Sequence, residues 1–286
     1  YDTGLSDISS LYGYGNAIGN NPFNERLRKY FEQKKVVYLK KASVVSEFGL
    51  INPIFFNSQK NFISDKGDLK FKKRVIVINL TQDSRILWSA IKDSQRKAAK
   101  SAQNKGVVIE HLEANEENIG KFNKMYYNTM SRVGAKKFWF FPKNYFEKTA
   151  KVLGTKNILL FGANYAGRYI AYFLILKKFD IAYYHFSCGL EEFSHLNANS
   201  ILMINSILYL KAAGAKLFHL GGGFTNSNDK LFKFKKSFSN SMLDLYATER
   251  ILEPKLYKYL TDKFLNGLDN NIQSVEYFPL YRYDVN

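Results

Sequence analysis

The chain is poor in the residues that announce a chemistry. A single cysteine, Cys188, stands among 286 residues, which excludes an internal disulfide and a cysteine-rich metal site. A lone thiol fits a reducing compartment, so a cytoplasmic location is expected. The four histidines show no metal-ligand spacing, and no metal site is expected. There is no Gly-x-Ser-x-Gly, no Walker loop and no His-Glu-x-x-His, which removes the sequence marks of serine hydrolases, P-loop NTPases and zinc proteases. No apolar run approaches the roughly 18 residues that span a bilayer; the longest, Tyr169 to Leu176, reads as a buried strand. No secretory signal is visible, and the sequence begins at Tyr1 rather than at a methionine, which leaves room for a preceding segment. Acidic pairs are scarce: Glu116-Glu117 and Glu191-Glu192 both read as surface charge, with Glu191 the more unusual because it follows the Ser187 to Gly189 turn.

What is abundant is positive charge and aromatic surface. Lysine and arginine number 42 against 25 acids, a net charge of +17 with a pI near 9.6. Such an excess suits a polyanionic partner (tRNA, a nucleotide sugar, coenzyme A or an anionic membrane face), although its even spread also suits simple solubility. Hydrophobic residues make up 46% and aromatics 16%, enough for a packed core with rings to spare for a groove.

The order of elements reads as α/β. Helices are expected over Pro22 to Lys34, Asp83 to Lys105, Glu116 to Gly134, Asn144 to Leu153, Asn197 to Ala213 and Pro254 to Phe264. Strands are expected over Val36 to Leu39, Arg74 to Ile78, Val107 to Ile109, Asn157 to Ala163, Arg168 to Lys177, Ile181 to Ser187, Lys216 to Leu220 and Ser241 to Ala247. Asn164-Tyr165-Ala166-Gly167 marks a hairpin turn. On the Asp83 to Lys105 helix, Lys92, Arg96 and Lys100 recur every four residues, with Lys97 beside them, as a basic stripe: a phosphate contact or a solvated face.

The most informative stretch is His219-Leu220-Gly221-Gly222-Gly223, followed by Asp229-Lys230-Leu231-Phe232-Lys233-Phe234-Lys235-Lys236-Ser237-Phe238-Ser239. Three side-chain-free residues after a strand let a ligand lie on the backbone, and a side chain at Gly222 is expected to block it. The lysines can meet an anion, and the phenylalanines can pack or stack.

This order resembles the C-terminal part of FemAB-type acyltransferases, the peptidoglycan bridge-forming relatives of the GNAT superfamily. Leu11-Tyr12-Gly13-Tyr14-Gly15 resembles a Tyr-Gly-Tyr-Gly segment near the start of many such proteins. Met125-Tyr126-Tyr127-Asn128-Thr129-Met130-Ser131-Arg132 resembles their Tyr-x-x-Thr-Met-x-Arg helix, and Tyr183-Tyr184-His185-Phe186-Ser187 stands where they have a strand ending in a small polar patch. The resemblance implies an α/β fold of two tandem GNAT-like domains with mixed sheets, here residues 1–106 and 107–286. It implies amide formation by attack of an amine on an activated acyl or aminoacyl ester. Neither the Arg/Gln-x-x-Gly-x-Gly/Ala pyrophosphate loop of coenzyme A users nor a long coiled-coil arm is present.

The expected catalytic residues are His185, Tyr184 and Ser187. His185 can act as base or polar anchor, or be an ordinary rim histidine; strand alternation puts it and Tyr183 on one face, Tyr184 and Phe186 on the other. Substrate contacts are expected from Tyr12, Tyr14, Arg132, Asn199, His219, Gly221, Gly222, Gly223, Lys230, Phe232 and Lys235, with Lys230 and Lys235 on a phosphate. Asn197 and Asn199 open a helix, to cap it or to present its N–H groups. The expected co-substrate is aminoacyl-tRNA or acyl-CoA, with no tightly bound cofactor. The expected acceptor is an envelope saccharide, nucleotide-sugar or peptide precursor, met in the cytoplasm or at the inner face of the membrane. The other function class open to this sequence is a non-catalytic basic module that binds RNA or anionic saccharide on a GNAT scaffold.

Overall fold

The computed structural model describes residues 4–10, 13–15, 25–56, 68–142, 144–224, 229–267 and 277–283. Among these the strands are β1 (Ser6–Ser9), β2 (Val44–Leu50), β3 (Leu69–Asn79), β4 (Val108–Leu112), β5 (Ile158–Tyr165), β6 (Arg168–Lys178), β7 (Ile181–Gly189), β8 (Leu217–Gly221) and β9 (Met242–Ile251). The α-helices are α1 (Glu25–Lys41), α2 (Ser84–Ala90), α3 (Asp93–Asn104), α4 (Glu116–Arg132), α5 (Tyr145–Leu153), α6 (Ala198–Ala212), α7 (Lys230–Lys236) and α8 (Pro254–Asn266).

The chain forms two compact units, Tyr1–Arg74 with Leu243–Asn286, and Val75–Met242. The expected cut at Gly106 is not where the chain divides. β3 pairs antiparallel with β8, Val77 opposite His219 and Ile78 opposite Phe218, and Leu87, Ile91, Ala99 and Ala102 share one core with α6. Residues 75–106 are therefore held by the half that follows them.

In the first unit β1 runs parallel to β2, and β2 antiparallel to β9. Val36 and Leu39 of α1 pack on Val44 and Leu252. Arg250, buried, donates to Asp68 at 2.6 Å, Glu32 at 3.1 Å and Glu47 at 3.3 Å. A buried guanidinium so surrounded has its desolvation offset by three carboxylates. The segment Val36 to Leu39, expected as a strand, is the end of α1. Its β-branched residues favour a strand by propensity, but Val36 and Leu39, three apart, meet one apolar cluster only as a helix.

The second unit is a sheet ordered β3-β8-β7-β6-β5-β4 with helices on both faces. Alternation sorts the core: Leu159, Phe161 and Ala163 of β5 face the cluster with α2, α3 and α6, while Ile158 and Leu160 face the cluster with α4 and α5. α6 is apolar nearly all round, with Ile201, Leu202, Met203, Ile204, Ile207 and Leu210 buried, as a helix enclosed by its neighbours must be. The expected β5–β6 hairpin is present, turning at Ala166 and Gly167, both at positive φ. The single helix expected over Asp83 to Lys105 is two. Ile91 is extended, and Arg96 donates to Trp88 O at 2.9 Å and Ile91 O at 2.7 Å, closing the end of α2. Arg96 is thus a capping group, Lys97 pairs with Asp93 at 2.8 Å, and Lys92 and Lys100 are exposed.

Candidate functional site

β7 and β8 are parallel neighbours only over Ile181–Leu217, Ala182–Phe218 and Tyr183–His219. Beyond Tyr183, β7 continues to Gly189 beside β6, and β8 continues to Gly221 beside β3. These two inner strands of the sheet therefore part, and the opening between them is edged by Tyr184 to Gly189 on one side and the glycine turn on the other.

A bulge decides which side chains face this opening. β6 pairs Leu174 with Phe186 and Ile175 with Tyr184, so His185 is an extra residue in β7. The expected alternation is overturned: Tyr184 packs with the α6 cluster, whereas Phe186 and Cys188 pack with the α4 cluster. The extra residue puts Tyr184 and Ser187 on one face, and the Ser187 side chain hydrogen-bonds the tyrosine. Burial pushes the Tyr184 phenol well above its usual range, so it stays protonated. His185 lies against Phe186, ring centroids 4.0 Å apart, and burial lowers it to about 4.

Lys235 brings a positive charge to the opening. It is only 7% exposed, its ammonium donates to Gly222 O at 2.8 Å and sits 5.4 Å from the centre of the Tyr184 ring. Gly221 has φ +77°, and a Cβ there would stand 3.4 Å from the Lys235 ammonium; on Gly223 it would run into the Asp229 carboxylate. Asp229 caps α7 by accepting from Phe232 N at 2.9 Å. The glycines thus let the turn fold onto Lys235 and Asp229. His219 is buried with its ring 5.3 Å from that of Tyr183. Burial, and then the Lys235 charge, lower it to about 3.

Of the expected residues, Tyr184, Ser187, His219, Gly221, Gly222, Gly223 and Lys235 come together at this opening. Phe232 is half-buried on α7 and packs against the α6 core. Lys230 is exposed at the start of α7, away from the inward-turned Lys235, so the two do not form the expected pair. Arg132, in the last turn of α4, faces Glu191 at 3.7 Å; that turn is fastened to the end of β7 where Thr129 Oγ1 accepts from Gly189 N at 3.2 Å. Asn199 is exposed, and Asn197 starts α6 from a left-handed conformation without a side-chain cap, so neither side chain caps the helix. Tyr14 is half-buried in the first unit, and Tyr12 lies outside the described residues. Two residues were missed: Tyr183, and Asp229, whose place ahead of an apolar-basic helix is a capping signal.

Two depressed histidines make stability depend on pH. Between the usual value near 6.5 and about 4 for His185 or 3 for His219, the unfolded chain binds protons that the folded chain does not. Stability is expected to be full above about 6.5 and to fall as the pH drops through this window, by on the order of 2–4 kcal/mol per group at pH 4. Denaturant unfolding from pH 7 to 4 measures it, and His219→Gln should flatten the slope; an unchanged slope would mean that His219 is not held neutral.

A family model described as acetyltransferase (GNAT) domain matches residues 89–235, just over half of the chain, from α2 through the opening to Lys235 itself. The chain belongs to this family. Its likeness to solved structures shows the FemAB-like GNAT fold as well. FemX matches with a TM-score of 0.64 at 12% identity, over 84% of this chain and 80% of its own. The C-terminal domain of a putative lysylphosphatidylglycerol synthetase from Agrobacterium fabrum matches at 0.55 and 13%, over 79% and 74%. L-PGS from Bacillus licheniformis matches at 0.55 and 12%, over 79% and 74%. No curated protein matches. The expected fold class, tandem GNAT-like α/β units with mixed sheets, is the one found, and the GNAT domain makes the chain an acyltransferase by family.

Proposed function

We propose that this GNAT protein transfers an acyl or aminoacyl group from an activated ester to an amine of a cell-envelope saccharide, nucleotide-sugar or peptide precursor. The observation that carries the reading is the buried Lys235 ammonium at the opening between β7 and β8, inside the span that matches the family. Attack by the amine forms the C–N bond and places negative charge on the carbonyl oxygen. A cation held in a low-dielectric site stabilises that charge, and the Tyr184 phenol, kept protonated and backed by Ser187, orients the ester. On collapse the ester C–O bond breaks, and the proton lost by the amine goes to the leaving oxygen. His185 and His219, lowered to about 4 and about 3, are too weak as bases to take the proton of an ammonium near neutral pH. The acceptor therefore enters as the free amine, and the histidines act as neutral anchors.

Aminoacyl-tRNA is the donor this site favours over acyl-CoA. No Arg/Gln-x-x-Gly-x-Gly/Ala pyrophosphate loop follows β6 or β7; the connection from β7 to α6 carries instead Glu191 and Glu192, paired with Arg132 and Arg168. FemX and the lysylphosphatidylglycerol synthetases share the fold, and the latter's name describes a lipid that carries an aminoacyl group. The reaction would take place in the cytoplasm or at the inner membrane face.

The test is transfer by the whole chain from charged tRNA or acyl-CoA, together with mass spectrometry of envelope precursors from cells with and without the protein. A gain of one acyl or aminoacyl unit that needs the protein is expected. Binding of RNA or anionic saccharide with no transfer from either donor would replace this reading with that of a non-catalytic module.

A further inference from the structure

α1 has two faces. Glu32, Lys35, Val36 and Leu39 turn inward, the first two into the Arg250 cluster and the others onto Val44 and Leu252. Helical spacing brings Tyr30, Phe31, Lys34, Val37, Tyr38 and Lys41 together on the opposite side. Its four apolar members are well exposed: Tyr38 by 71%, Tyr30 by 57%, Val37 by 52% and Phe31 by 41%. An outward helix face is ordinarily polar, and large apolar groups gathered there mark a docking surface. Lys34 and Lys41 run along the middle of the arc, with the Lys34 ammonium 5.3 Å from the centre of the Tyr30 ring. The helix as a whole has seven basic residues against two acidic ones.

We propose that this face lays α1 flat on an anionic lipid surface. Such a surface takes both kinds of group at once. Phe31 and Val37 enter the boundary between headgroups and acyl chains, the tyrosine rings lie at the interface, and the lysines bury their stems while their ammonium groups reach phosphate. An RNA would satisfy the lysines and stack on a ring, but it offers nothing in which to bury Val37 and Phe31. No helix among the described residues is long and apolar enough to cross a membrane, so the contact is one of lying on the surface. The inference stands on the first unit alone and does not depend on the transfer reaction.

The experiment is co-sedimentation of the full chain with vesicles of mixed phosphatidylcholine and phosphatidylglycerol, against vesicles of phosphatidylcholine alone. Binding to the anionic vesicles only is expected, weakening as salt is raised. Phe31→Glu/Tyr38→Glu, both at exposed positions, should lower that binding by about tenfold or more with an unchanged thermal unfolding profile. As a second measurement, Tyr38→Trp should add a blue-shifted emission with anionic vesicles, read as a difference from the wild type with its two tryptophans. No binding to anionic vesicles, undiminished binding by the double variant, or an added tryptophan emission that ignores the vesicles would each overturn the proposal. So would a double variant that loses binding to bulk tRNA while keeping the vesicles, since that result would give the face to RNA.

Discussion

Lys235→Met should lower kcat by about 10²–10³-fold and leave KM nearly unchanged. The lysine is buried, and its ammonium is tied to Gly222 O beneath the Tyr184 ring. Methionine fills much of the same space without the charge, so the packing of α7 is retained while the field across the opening is lost. A surface lysine that held a phosphate would behave in the opposite way: its removal would raise KM, less so at high salt, and spare kcat. That was the role expected from sequence, and it requires an exposure that Lys235 does not have. A spectroscopic readout accompanies the kinetics. The Lys235 charge, after burial, helps to depress His219, so the His219 ring should titrate at a higher pH in Lys235→Met than in the wild type, as followed by NMR. A variant with normal kcat would remove Lys235 from the chemistry. An unmoved His219 titration would show that its charge does not reach the floor of the opening.

Gly221→Val should abolish measurable transfer, and Gly221→Asn should keep a substantial part of it. At φ +77° a β-branched residue is strained, by roughly 1–2 kcal/mol or more, whereas asparagine enters the left-handed region more readily. The Cβ of either would stand 3.4 Å from the Lys235 ammonium, close but tolerable. The two γ-methyls of valine would go further and press the ammonium from its seat at Gly222 O. The sequence alone placed this sensitivity at Gly222, the middle of the triplet. The backbone adds a second sensitive position at Gly221, which leaves the strand with positive φ. Equal activity of the two variants in folded protein would reduce the glycine triplet to a plain turn.

Much of this protein was legible in its sequence. Strand, glycine triplet and basic aromatic segment in that order, with the tyrosine-threonine helix and the polar strand end, pointed to the family that the match over residues 89–235 shows. These are local signals: periodicity, breakers and caps act within a few residues, so β5, β6, α4, α6 and α8 fall close to where patterning puts them. What patterning cannot carry is any choice made by a distant partner. Val36 to Leu39 is helical because Val44 and Leu252 wait on one side of it. The chain divides within β3 because β8, far along the sequence, pairs with it.

The site itself was divided in the same way. Tyr184, Ser187, the glycines and Lys235 were all named from residue type and order. Their arrangement was not, because a period-two reading assumes an unbroken ladder, and one extra residue at His185 reverses every side chain after it. Only that bulge sets Tyr184 on the face of α6 with Ser187 and sends Phe186 to the other. Likewise the sequence shows that Lys235 is basic, and only the packing of α7 shows that it points inward. Part of the composition of the candidate site was thus written along the chain. Its geometry was decided by strand registers and helix faces, which depend on partners that linear sequence does not bring together.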